Sequence, residues 1–136
     1  MFLSYLNDRC KEDVMDLAIH VTLANKVLEN NEKDSLKQYF HELGIEERAL
    51  VPRYTVPEAI ENVCKTSSGM ERSMILFELI ALACVDGECD EDESLLLKKI
   101  AMAFSIHEGK IKEMKKLIKK QRELYREIAE ILRKED

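Results

Sequence analysis

Residues 74–85 are apolar almost throughout. A run of that length exceeds the usual strand of about 5–6 residues and contains neither proline nor glycine, so it reads as a helix apolar on nearly every side. Such a helix has to sit in the middle of a domain with the other elements packed round it. The segment leading into it supports the assignment: Ser68 and Glu71 stand at capping-box spacing and would open the helix, which then runs to about Val85. Next comes an acidic loop, and after it Leu95, Leu96, Leu97, Ile100, Ala101, Ala103 and Phe104 form a second buried helix.

The remaining segments fit around this pair. Cys10, Val14, Leu17, Ala18, Val21 and Ala24 fall at spacings of three and four, which predicts a core-facing helix over about 8–25, capped by Asn7 or Asp8. A helix from about Asn30 turns Leu36, Tyr39, Phe40 and Leu43 inward, and Gly44 is placed to end it in a left-handed conformation. Residues 46–54 form a connector, and Thr55, Pro57 and Glu58 make a helix start that lasts as far as the TSSG stretch at 66–69. Ser105 and Glu108 repeat the capping-box spacing before a last helix over about 107–134, roughly 40 Å long at 1.5 Å per residue. Its apolar positions, from Ile111 to Leu132, follow a near-heptad stripe broken by Gln121. The stripe is wider than a coiled-coil seam, so the helix is expected to wrap across the bundle, the alternative being that part of it projects and pairs with another chain. The fold class is therefore all-α: a single-domain bundle of about six to seven helices spanning 1–136.

With 136 residues, only two prolines and four glycines, the chain has room for one core and little turn chemistry for a β fold. The net charge of −6 is uneven. Residues 107–136 carry ten Lys and Arg against seven Asp and Glu, so a basic tail of +3 follows an acidic body of −9, which argues against nucleic acid as the main partner. No apolar run is long enough to span a bilayer and charged residues follow the N-terminus closely, so the expected location is cytoplasmic. Cys10, Cys64, Cys84 and Cys89 lack metal-binding or C-x-x-C spacing and are expected to be four reduced thiols.

The chain also echoes itself at an offset of 61 positions. Ile19 falls on Ile80, Glu32 on Glu93, Leu36 on Leu97, Lys37 on Lys98 and Ile45 on Ile106, giving two pseudo-symmetric helix-loop-helix halves. With Val85-Asp86-Gly87 followed by Glu93 between apolar helices, the second half resembles the tellurite-resistance TerB-like family. The resemblance implies an all-helical fold of two related halves, acidic loops that form a metal site, and a link to tellurite and other stress resistance. It places the family acids on Asp86 and Glu93. The first-half equivalents are Asn25, Lys26 and Glu32, where the Asp-Gly pair is gone and the glutamate alone survives.

Between Asp86 and Glu93 there are six carboxylates and no basic residue. Asp86, Glu88, Asp90 and Glu93, with a weaker contribution from Glu32, form the candidate site for a divalent cation such as calcium, magnesium or zinc. Helix capping competes with that reading. Asp90 is a good N-cap, and Glu91, Asp92 and Glu93 suit the positive end of a helix dipole, so Asp86 and Glu88 are the acids that capping leaves over. His20, His41 and His107 have no partner at ligand or catalytic spacing, and no nucleophile motif occurs, so no enzymatic activity is expected.

Two functions follow. One is a non-enzymatic binding module whose acidic loop takes a divalent cation or a partner. The other is a protein-interaction or oligomerisation module, a homodimer for example, acting through the basic-faced last helix with no metal site. Peripheral contact of that helix with a membrane surface is a further outcome its lysines leave open.

Overall fold

A computed structural model describes residues 1–24, 30–84 and 89–135. A short 3-10 turn at Leu3–Tyr5 precedes six helices: α1 (Lys11–Leu23), α2 (Asn30–Leu43), α3 (Val56–Thr66), α4 (Gly69–Ala83), α5 (Glu91–Ala103) and α6 (Glu108–Arg133). No strand occurs among the described residues, and the all-α bundle stands as expected.

The all-round apolar helix lies at the centre. Helix α4 packs against α1, α5, α6 and the 3-10 turn, with Ile75, Leu76, Leu79 and Ile80 almost fully buried. Helix α1 is a second central helix. Besides the expected face it buries Met15 and Ile19, and Asp16 and Thr22 as well, because α2, α3, α4 and α5 all pack on it. Asp16 is a polar residue that the core can bury because its carboxylate is used fully: it accepts the backbone N–H of Arg53 at 2.7 Å and of Tyr54 at 3.0 Å and pairs with Arg48 at 3.3 Å. This one side chain ties the 46–54 connector down onto α1, which the apolar pattern does not reveal.

The helix starts follow the sequence in part. Thr55 with Glu58, and Ser68 with Glu71, make complete reciprocal capping boxes. Glu71 also accepts from the backbone and side chain of Asn7, at 2.8 and 2.9 Å. Asn7 is thus drawn towards α4 instead of capping α1, which begins only at Lys11 with no side-chain cap at Cys10. The box expected at Ser105 is replaced: Ser105 takes a left-handed φ of 59°, and His107 Nδ1 accepts from Lys110 N at 3.2 Å to start α6.

That left-handed serine extends the internal echo to the backbone. Gly44, with φ 69°, ends α2 and Ser105 ends α5, 61 positions later. In the first half Ile45 N–H donates to Phe40 and Gly44 N–H to His41; in the second, Ile106 donates to Ala101 and Ser105 to Met102. Each pair is again 61 apart, so the two helices terminate by the same hydrogen-bond pattern, with glycine in one copy and serine in the other.

The last helix parts from expectation. It packs on α4 through Met114 and Ile118, both buried, with Ile111 partly so. Past Gln121 its stripe lies open: Leu124, Tyr125, Ile128, Ile131 and Leu132 are 43–78 % exposed. Wrapping thus holds for the first half of α6 alone.

Candidate functional site

Two regions carry features that packing does not consume: the junction around the acidic loop, and the free face of α6 with the groove beside it.

At the junction, Asp86 and Glu88 lie outside the described residues, as do Asn25 and Lys26 of the first-half loop. Asp90, Glu93 and Glu32 are described. Asp90 caps α5, its Oδ1 accepting Glu93 N–H at 2.8 Å. Glu93 turns inward and is only 5 % exposed, so it is more than a capping residue. Its carboxyl is pushed up to about 8, first by burial, then by a hydrogen bond with the Asp90 side chain that favours the protonated form, then by the negative charges of Asp90 and Glu32. Glu32, 61 positions earlier, lies near enough for its charge to add to that upward push. Among the described residues no group of three ligating side chains converges closely enough to hold a metal.

The ends of the acidic loop are fastened. Cys84 and Cys89 form a disulfide with Cα atoms 4.2 Å apart, leaving Cys10 and Cys64 as free thiols, so the expectation of four reduced cysteines is corrected. The physical reason is topological: α4 ends at Ala83 and Asp90 already caps α5, so a short helix-to-helix connection returns its flanks to one place, whatever the sequence spacing. Arg122 from α6 reaches the same point, donating to the carbonyls of Ala81 at 2.6 Å and of Cys84. These belong to the last turn of α4, whose carbonyls have no partners inside the helix. Arg122 is thus a C-cap supplied from another element. On the same basic-faced helix Lys110 donates to Ser73 at 2.8 Å.

Along one flank of α6 lies an apolar groove of about 430 Å³. Met70, Met74 and Phe77 of α4 form one wall, and Met114, Leu117 and Gln121 of α6 the other. Met70 and Leu117 are 72 % and 51 % exposed. Methionine side chains adapt their shape to what they meet, which suits such a wall to receiving another apolar surface. The groove ends at Gln121, one helical turn before the open stripe that begins at Leu124.

His20 is packed, its Nε2 2.7 Å from the Tyr54 carbonyl. Among the described residues no helix is long and apolar enough to cross a membrane. Comparison with protein-family models, with curated proteins and with solved structures returns no match.

Proposed function

We propose that the protein is a non-enzymatic association module whose working surface is the apolar face of α6, through which copies of the chain join. The observation that carries this reading is the unbroken exposure of Leu124, Tyr125, Ile128, Ile131 and Leu132 on one helix. Isolated exposed apolar residues are ordinary, but a contiguous face of them on one helix marks an interaction site. Sedimentation over a range of protein concentrations tests it. The chain should sediment as a dimer or larger, and Ile128→Lys with Ile131→Lys should return it to monomer without loss of helix content. A wild-type chain that stays monomeric at its highest soluble concentration would sink the reading. These substitutions are preferable to deleting residues 121–136, because deletion would also remove Arg122 from the end of α4.

A second reading is favoured by the inward-turned Glu93 beside Asp90, on which the charge of Glu32 also acts. In it the junction, with Asp86 and Glu88, takes a divalent cation, as the TerB-like resemblance implies. A cation would displace the proton that burial and neighbouring charge hold on Glu93. Calcium, magnesium or zinc should then raise the melting temperature, and Asp86→Ala with Glu93→Ala should remove the effect; equal shifts in wild type and variant would count against it. Membership of that family, a stress or tellurite role and a cytoplasmic location all belong to this proposal. In a reducing cytoplasm the Cys84–Cys89 bond would exchange with the thiol pool.

A further inference from the structure

We infer that two copies of the chain pair through α6 in antiparallel orientation, each laying its distal half into the methionine-walled groove of the other. The inference rests on the association reading above and adds its partner geometry.

The argument begins from the heptad register of α6. Met114, Gln121 and Ile128 occupy one seam position and Leu117, Leu124 and Ile131 the other. Beside the seam on one side stand Ile118, Tyr125 and Leu132. Ile118 is buried against the body, so that side faces α4. On the other side stand Glu113, Lys120, Glu127 and Lys134, all exposed and alternating in sign every seven residues. A stripe that is apolar at every seam position but Gln121 and on the α4 side, and charged on the far side, is too wide for a free two-helix coil. It suits a helix that will lie on a partner helix and a partner body at once.

The groove provides that body. Met114, Leu117 and Gln121 of the seam line it, with Met70, Met74 and Phe77 of α4 as its other wall. An antiparallel second copy can set its Ile128 against Leu117, its Leu124 against Gln121 and its Ile131 against Met114. Its Tyr125 and Leu132 then point towards α4. By symmetry the first copy's distal half enters the second copy's groove. The overlap runs from residue 114 to 131, roughly 27 Å at 1.5 Å per residue. The seam residues left open on the monomer, Leu124, Ile128 and Ile131, are thereby covered.

Charge then selects this register. Antiparallel helices bring the outer flanking positions of the two chains together, so Lys120 meets Glu127 of the second copy and Glu113 meets its Lys134. Symmetry makes each contact twice. Sliding the helices by one heptad in either direction sets lysine against lysine and glutamate against glutamate. Sliding by two along the tails restores Glu127 to Lys134 but leaves the grooves empty. In a parallel pair Lys120 and Glu127 would face Tyr125 and Leu132, and their alternation would serve nothing. The distal segment also argues against an anionic membrane as occupant: residues 121–135 hold four basic and four acidic residues, a balance that fits a self-complementary partner.

Sedimentation equilibrium of the full chain and three variants tests the pairing. Lys120→Glu and Glu127→Lys should each weaken the dimer about tenfold, because each replaces two attractive contacts by two repulsive ones. The double variant should return the dissociation constant to within about twofold of wild type, since the swapped charges again meet their opposites. Rescue in the double variant supports the antiparallel register. A dimer that ignores all three variants overturns that register while leaving association through α6 intact. A monomeric wild type overturns both, as does a chain that stays monomeric in solution and floats with phosphatidylserine vesicles. Circular dichroism of the variants guards against misfolding, which is not expected at exposed positions.

Discussion

At the scale of single residues, three charged side chains facing backbone fasten a helix end, a connector and the N-terminal segment to the apolar core. Arg122 takes two carbonyls at the end of α4, Asp16 takes two backbone N–H groups of the 46–54 connector, and Glu78 accepts the backbone N–H of Phe2 at 2.9 Å. Hydrogen bonds to charged groups are the stronger kind, so Arg122→Leu should cost about 1–3 kcal/mol even though it keeps an apolar stem. Thermal unfolding measures that loss, and a Lys at 122 should recover only part of it, having a single point charge where two carbonyls must be spanned. The cysteines give a separate count. Alkylation of the denatured chain without reductant should modify Cys10 and Cys64, and all four thiols only after reduction. Four alkylated thiols before reduction would show the 84–89 bond absent from the protein as purified. None of these partners was legible in the sequence. An arginine among lysines, an aspartate in an amphipathic helix and two cysteines five apart each look ordinary until the chain is folded back on itself.

At the scale of elements the sequence says far more. Apolar periodicity and capping chemistry are local, and they place α2 to α6 to within a few residues, with two complete capping boxes where Thr55 and Ser68 predict them. The failures are also local in cause. Ser105 reads as an N-cap because serine usually is one, but Ile106 N–H closes back on Ala101 and forces a left-handed residue there, so the cap falls to His107. The repeated termination of α2 and α5 makes an opposed pair of predictions. Gly44 has open space where a Cβ would go, so Gly44→Ala meets only the cost of a left-handed alanine, about 1 kcal/mol. Ser105 already bears such a cost, so Ser105→Gly should raise stability, by a smaller amount because the unfolded chain gains freedom as well. Denaturant midpoints of the two variants should move in opposite directions. If both fall, the backbone equivalence of the two helix ends has no energetic counterpart.

At the scale of the whole molecule, the echo at 61 positions acquires an electrostatic link: the charges of Glu32 in the first half and Asp90 in the second both act on Glu93. Sequence spacing announced the loop but not that Glu93 turns inside, because capping gave its carboxylate a reason to stay at the surface. Burial changes how the fold responds to pH. The unfolded chain releases the Glu93 proton near 4.5, whereas the folded protein keeps it to about 8. Between those values the folded state binds a proton that the unfolded state has lost, so this group's contribution is whole below about pH 4.5 and drains away as pH rises towards 8. Melting temperature, followed from pH 5 upward in a chelating buffer, should therefore decline through neutrality more steeply than in Glu93→Gln, which carries the same hydrogen-bonding shape without a proton to lose. Coincident profiles for the two proteins would mean that Glu93 ionises in the fold as it does in the unfolded chain.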